Sequence, residues 1–192
     1  GFADHGVPAK PLGRFADRWT TFSAGDVPPH AVVIGGGVAG AELAMAMAHA
    51  LRPRGGQVTI VERERALTAL GDGARALLKR QMSALGITLH EGVTVAKVAA
   101  DRVILSDGRE VPSHLTVGAA GARAQGWLEA TGLGLTDGFV TVNASLQSTD
   151  EGVFAAGDCA HMAASPRPKA GVFAVRQAPV LYDNLVAQLS GG

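Results

Sequence analysis

The chain has 192 residues, 47% of them hydrophobic and 5% aromatic, with 17 basic and 17 acidic side chains and a formal net charge of zero. This apolar content fills one core, or one core and a partial second lobe, and excludes disorder, while the scattered, balanced charge leaves no footprint for nucleic acid. The one cysteine, Cys159, excludes an internal disulfide, a cysteine-built zinc site and a dithiol pair, and points to a reducing compartment.

No stretch reads as a stable membrane segment: the apolar run at residues 31–41 is far short of the ~20 residues that a span needs. The opening Gly1-Phe2-Ala3-Asp4-His5 lacks the basic and apolar regions of a secretory signal. A soluble, cytoplasmic protein is therefore expected.

Pro8, Pro11, Gly13, Gly25, Pro28 and Pro29 make residues 1–30 read as a connector. Within it, Leu12, Phe15 and Trp19 stand at helical spacing, so residues 11–22 are expected to form a short helix that needs a surface to cover it. Ala31-Val32-Val33-Ile34 then reads as a buried strand, halted by Gly35-Gly36-Gly37 and followed by an alanine-rich helix whose inner face carries Leu43, Met47 and Leu51. Arg52-Pro53-Arg54-Gly55-Gly56 ends that helix, and Val58-Thr59-Ile60-Val61 forms a second buried strand ending at Glu62. Leu77, Leu78, Met82 and Leu85 mark the next helix, closed by Gly86, and residues 87–90 a third strand.

Past Glu91 the apolar period drops to two, at Val93 and Val95, Val103 and Leu105, then Val111, with Asp107-Gly108 as a hairpin turn. This is an antiparallel three-stranded meander. Leu115-Thr116-Val117 returns as a buried strand before Gly118-Ala119-Ala120-Gly121. A helix around Trp127, strands at 139–142 and 153–155, and a last helix over 171–189 complete the pattern. The fold class is α/β, a Rossmann-like parallel sheet with a meander over residues 31–121, followed by a second portion over 122–192.

Gly35, Gly37 and Gly40 fall in G-x-G-x-x-G spacing between a strand and a helix. Gly35 permits the tight turn, Gly37 lets a pyrophosphate approach the backbone, and Gly40 lets helix and sheet pack closely; the helix start at Val38 and Ala39 turns its positive end to the phosphates. The plainer reading, a glycine-rich turn without ligand, is weakened by the strand before, the helix after and the acid that ends the next strand. That acid, Glu62, can accept hydrogen bonds from both ribose hydroxyls of an adenosine and repels a 2′-phosphate. Arg63 and Arg65 pull the other way, since arginine accommodates that phosphate. NADH is favoured over NADPH. Gly121 is a further candidate for nucleotide contact.

Ser148-Thr149-Asp150-Glu151-Gly152-Val153-Phe154-Ala155-Ala156-Gly157-Asp158 runs a short strand into a Gly-Asp turn, placing a carboxylate at a strand's C-terminal edge. The stretch resembles the second FAD motif of flavoproteins with two dinucleotide-binding domains, within the FAD-dependent pyridine nucleotide-disulfide oxidoreductase superfamily. Arg167-Pro168-Lys169-Ala170-Gly171-Val172-Phe173-Ala174-Val175-Arg176-Gln177 resembles the segment that opens the family's last helix. From Pro8 onward the chain is similar to type II NADH dehydrogenases, and most closely to the NADH dehydrogenase-like module found alone or fused to selenide, water dikinase.

The resemblance implies that Asp158 bonds the ribityl chain of the flavin, that Gly157 permits close approach, and that Lys169 and the helix start at Ala170, Gly171 and Val172 stabilise charge on the ring. Glu42 matches an acid near the nicotinamide carboxamide, although a helix-start acid is the plainer reading. Hydride would pass from NADH to FAD without a protein acid or base, then electrons to small-molecule acceptors or, through that module, toward a selenide, water dikinase partner. The family's first glycine motif has no counterpart: Gly71-Asp72-Gly73 follows no buried strand. Residues 122–192 are therefore expected to be the C-terminal part of an FAD domain, and FAD to bind the full-length protein. Val172 and Arg176 stand where quinone-reducing members carry glutamines, which leaves the acceptor open. A nucleotide-sensing or interaction module without flavin turnover is the alternative function.

Overall fold

The computed structural model describes residues 1–10, 12–25 and 29–191; Pro11, where the first long helix is expected to start, and Pro28 lie outside them. β-Branched residues in an unbroken apolar run suit a parallel strand covered on both faces, and they form β2 (His30–Ile34), whose middle three residues are fully buried. β3 (Gln57–Glu62) and β4 (Thr88–Glu91) lie on one side of it. β8 (Leu115–Gly118) and β1 (Gly6–Pro8) lie on the other, giving a five-stranded parallel sheet in the order β1-β8-β2-β3-β4.

Alternation along the strands divides the two faces. Ala31, Val33, Val58, Ile60, Leu115 and Val117 pack toward α3 (Val38–Leu51) and α4 (Asp72–Ala84), whereas Val32 and Val61 pack with Val93, Val103, Leu105 and Val111. The second set belongs to the meander of β5 (Val95–Val98), β6 (Arg102–Leu105) and β7 (Glu110–Pro112), antiparallel in the order β5-β6-β7. α3 buries Gly40, Ala41, Ala44, Met47, Ala48 and Leu51, a stripe of mostly small residues that lets the helix sit close to the sheet. Leu43 is only partly buried, and Leu77 on α4 is 48% exposed, so the inner face of α4 rests on Met82 with Leu78 and Leu85 beside it.

Residues 1–30 do more than connect. After the short α1 (Phe2–His5), Gly6–Pro8 extends the sheet as an edge strand, and α2 (Leu12–Ser23) lays Phe15, Trp19 and Phe22 against the core while Leu12 stays 70% exposed. Proline is tolerated there because an edge strand has no partner for its missing N–H on one side.

The chain divides into two compact units, Gly1–Ala120 and the residues from Gly121 onward. In the second, β9 (Leu135–Thr136), β10 (Phe139–Val142) and β11 (Ala160–Met162) form a small sheet, with β10 antiparallel to β9 and parallel to β11. Leu128, Val140, Val142, Leu146, Ala155 and Ala160 make its core. The helix expected around Trp127 is a 3-10 turn, Gly126–Thr131, with Trp127 66% exposed. The strand expected at 153–155 is a single bridge between Phe154 and Gln147. α5 (Gly171–Ser190) closes the unit.

Candidate functional site

The three glycines of the turn after β2 serve different ends. Gly35 has φ +114°, and a Cβ there would lie 2.8 Å from the backbone of Ala119 and Ala120. A Cβ on Gly40 would sit 1.9 Å from the Gly35 carbonyl oxygen. Gly37 has nothing within 4 Å of the same position, is exposed, and caps α3 without any side-chain hydrogen bond. Packing thus demands glycine at Gly35 and Gly40, whereas Gly37 leaves free space in front of the N–H groups of Val38 and Ala39 at a bare helix N-terminus, where an anion is favoured.

The loop after β3 is fastened to this turn. The Glu62 carboxylate accepts the Gly36 N–H through Oε2 at 2.6 Å and the Glu64 N–H through Oε1 at 3.0 Å, Gly35 donates to the Val61 carbonyl, and Leu67 donates to the Gly36 carbonyl. Each carboxylate oxygen keeps a lone pair for a further donor. Arg63 is exposed and lies 3.5 Å from Glu64, while Glu42 is exposed on α3. On the far side of the loop Glu91, at the end of β4, accepts the Ala66 N–H and the Lys79 ammonium, both at 2.6 Å. Burial pushes the Glu91 carboxyl up, but Lys79, the Ala66 N–H and Arg65 outweigh it and hold it below the ordinary carboxylate range.

In the second unit Gly157 has φ +71°, and its N–H donates to Gln177 Oε1 at 2.6 Å; Gln177 Nε2 donates in turn to Met162 Sδ. Asp158 lies half-buried in the 3-10 turn that follows. Lys169 donates to the Ala160 carbonyl and stands 4.1 Å from the centre of the Phe139 ring. Desolvation lowers its pKa, against the opposing pull of Asp158 and Cys159. Ala170 caps α5 in an extended conformation without a side-chain bond, so Gly171 and Val172 open a bare helix N-terminus. The Cys159 thiol donates to the Ala156 carbonyl.

Residues 5–178 match the pyridine nucleotide-disulphide oxidoreductase family. The chain belongs to that family. It is 34% identical over 137 residues to the nitric oxide reductase FlRd-NAD(+) reductase of Aeromonas salmonicida, covering 67% of this chain and 34% of that one. It is 30% identical over 148 residues to the type II NADH:quinone oxidoreductase of Haemophilus influenzae, covering 67% and 32%. A solved FAD-dependent pyridine nucleotide-disulphide oxidoreductase from Desulfovibrio vulgaris superposes with a TM-score of 0.75 at 26% identity, over 94% of this chain and 48% of that one. The chain spans between 34% and 42% of the length of the nitric oxide reductase FlRd-NAD(+) reductases it matches, from Aeromonas salmonicida and Vibrio vulnificus.

Members of the pyridine nucleotide-disulphide oxidoreductase family are FAD-dependent enzymes that use NAD(P)H. The structure gathers Gly35, Gly37, Val38, Ala39, Gly40 and Glu62 around one turn of the first unit, with Arg63 on the adjoining loop. In the second, Gly157 and Asp158 lie in a 3-10 turn that Gln177 of α5 bonds and Lys169 adjoins through Ala160, while Ala170, Gly171 and Val172 start α5. Gly121, with φ +85°, opens the second unit. Sequence reasoning passed over Glu91 and treated Gln177 only as part of a motif; an acid ending a third parallel strand is a signal that could have drawn attention to the first, whereas Gln177, 20 residues beyond Gly157 on α5, carries none that spacing reveals. No described helix is long and apolar enough to cross a membrane.

Proposed function

We propose that the chain is the NAD(H)-binding part of an FAD-dependent oxidoreductase that takes two electrons from NADH to the flavin and passes them to a further acceptor. The observation that carries this reading is the vacant space at Gly37 before the uncapped start of α3, beside a carboxylate fixed to the same turn. Val38 and Ala39 N–H groups would hold the pyrophosphate and Glu62 the adenosine ribose, with Arg63 at the periphery. Residues 1–120 would form the nucleotide domain, with residues 6–8 as the edge strand of its sheet rather than a connector into it.

Two features of the second unit support a flavin there: the half-buried Asp158 carboxylate in the 3-10 turn, and the Gly171 and Val172 N–H groups at the start of α5, which Ala170 caps; Gly157, whose N–H is bonded to Gln177 and whose Cβ position lies 3.1 Å from Ala174, would shape that turn. Residues 122–192 would be the C-terminal part of the flavin domain. When bound, nicotinamide and flavin supply the two-electron exchange between them; the protein's part is to hold both rings and keep water out. Glu42 would orient the carboxamide, and Lys169 would add positive field at the ring edge. The resemblance carried by Gly157-Asp158-Cys159-Ala160 and residues 167–177 makes selenide, water dikinase a proposed partner, to be sought by copurification with the full-length protein.

The test is a fluorescence titration of NADH and NADPH against the chain. NADH is expected to bind at least about tenfold more tightly, the carboxylate repelling the extra phosphate; equal affinity or a preference for NADPH overturns the assignment of Glu62. The full-length protein should be yellow and bleach with NADH. Colourless protein that still binds NADH would replace the enzyme by a nucleotide sensor.

A further inference from the structure

The loop over residues 62–67 is held from two sides, and the outer side has no role in the reading above. Along it, three consecutive residues at the end of β4 reach the loop: the Glu91 carboxylate accepts the Ala66 N–H at 2.6 Å, the Gly92 N–H donates to the Glu64 carbonyl at 3.0 Å, and the Val93 N–H donates to the Glu62 carbonyl at 3.3 Å. Gly92 has φ +70°, the conformation that turns the chain so that these bonds can form. The second oxygen of Glu91 is occupied by the Lys79 ammonium from α4, also at 2.6 Å. Both side chains are about one-third exposed, 30% for Glu91 and 34% for Lys79.

Within the loop Leu67 is fully buried and has φ +60°, a conformation that an L-leucine adopts only when its surroundings impose it. The loop therefore has a local reason to relax elsewhere, and the bonds to Gly36 on one side and to residues 91–93 on the other oppose that. A charge-assisted bond is the strongest member of the outer set. Its donor, the Ala66 N–H, lies only four residues beyond Glu62.

We propose that Glu91, braced by Lys79, is a positioning residue that fixes the Glu62 loop in the pose that recognises the adenosine ribose. Glu91 touches no ligand; it sets how sharply the site distinguishes a ribose that carries its 2′-hydroxyl from one that does not. The inference rests on the assignment of Glu62 to the ribose.

The experiment measures NADH and 2′-deoxyadenosine NADH binding by fluorescence with the full chain, for the wild type, Glu62→Ala, Glu91→Leu and Lys79→Met. The readout is the affinity ratio, which does not depend on the fraction of molecules folded. The wild type is expected to favour NADH by about tenfold or more, the scale of a hydrogen bond to a charged group. Glu62→Ala should bring the ratio to about one. Glu91→Leu should reduce it to within about threefold of one, and Lys79→Met, which leaves the Ala66 bond in place, should fall between. If the wild type itself shows no preference, the assignment of Glu62 fails and the role of Glu91 with it. If Glu62→Ala removes the preference but Glu91→Leu retains the full ratio, Glu91 is only a structural residue and the proposal alone is overturned. Should Glu91→Leu not fold, a Lys79→Met ratio equal to that of the wild type overturns it instead.

Discussion

Replacing Gly40 and Gly37 by alanine separates packing from ligand binding within one hexapeptide. At Gly40 the new methyl would lie 1.9 Å from the Gly35 carbonyl oxygen and 3.1 Å from its carbon, where contacts under 3.0 Å are essentially never seen. The obstacle is backbone, which cannot rotate aside, so α3 must move off the sheet. Overpacking of this kind costs about 1–3 kcal/mol and more where nothing yields, against a gain of about 0.4–1 kcal/mol from a less flexible unfolded chain. Gly40→Ala should therefore lose about 2–3 kcal/mol, a Tm lower by roughly 4–12 °C. At Gly37 φ is −68° and no atom stands within 4 Å, so Gly37→Ala should shift stability by no more than about 0.5 kcal/mol. Its methyl would instead fill the space proposed for the pyrophosphate and weaken NADH about tenfold or more. Thermal unfolding followed by circular dichroism, together with NADH titration by fluorescence, reads both effects. A Gly40→Ala protein that unfolds at the wild-type temperature would refute the packing argument, and a Gly37→Ala protein with undiminished affinity would refute the phosphate assignment.

Three further outcomes are expected. Glu62→Ala should weaken NADH roughly tenfold to a hundredfold and cost about 1 kcal/mol of stability through the loss of the Gly36 bond; titration and urea unfolding check the two separately. Gln177→Ala removes the acceptor of the part-buried Gly157 N–H and should destabilise by about 1–2 kcal/mol, seen as a lower denaturant midpoint. Burial pushes the His90 imidazole down, Arg109 beside it adds to this, and Asp107 opposes. The unfolded chain then takes up a proton near pH 6.5 that the folded one refuses, so this contribution is whole above that pH and is lost as pH falls toward the folded value. Urea midpoints at pH 7.5 and 5.5 should differ in that direction, and the difference should shrink in His90→Gln.

The central sheet was legible because its strands are unbroken apolar runs and its turns are written in glycine. Ala31 to Ile34, Val58 to Val61 and Leu115 to Val117 could be little else. The alternation of Val93, Val95, Val103, Leu105 and Val111 gave the meander for the same reason. β1 escaped notice because three residues, two of them Gly6 and Pro8, carry no strand signal; only pairing with β8 makes them a strand. β9 and β11 are two and three residues long and owe their conformation to β10 alone. The helical stripe through Leu77 misled because Met82 and its neighbours suffice to seat α4, leaving Leu77 at the surface. At the site, the glycine spacing and Glu62 were readable from residue type and position. The anchoring of Glu62 to Gly36, and of Ala66 to Glu91, depends on side-chain direction, which no spacing rule contains.

The pairing of Val7 with Val117 also predicts an order of assembly. β2, α3, β3, α4 and β4 follow one another through short connections and are expected to assemble first, whereas β8 is expected to join only after the meander, and β1 only after β8. Closing so long a loop is slow relative to local assembly. Until then Phe15, Trp19 and Phe22 have no surface to cover, and pulse-labelled amide exchange should find Val7 and Ala9 protected after Val33 and Ile60.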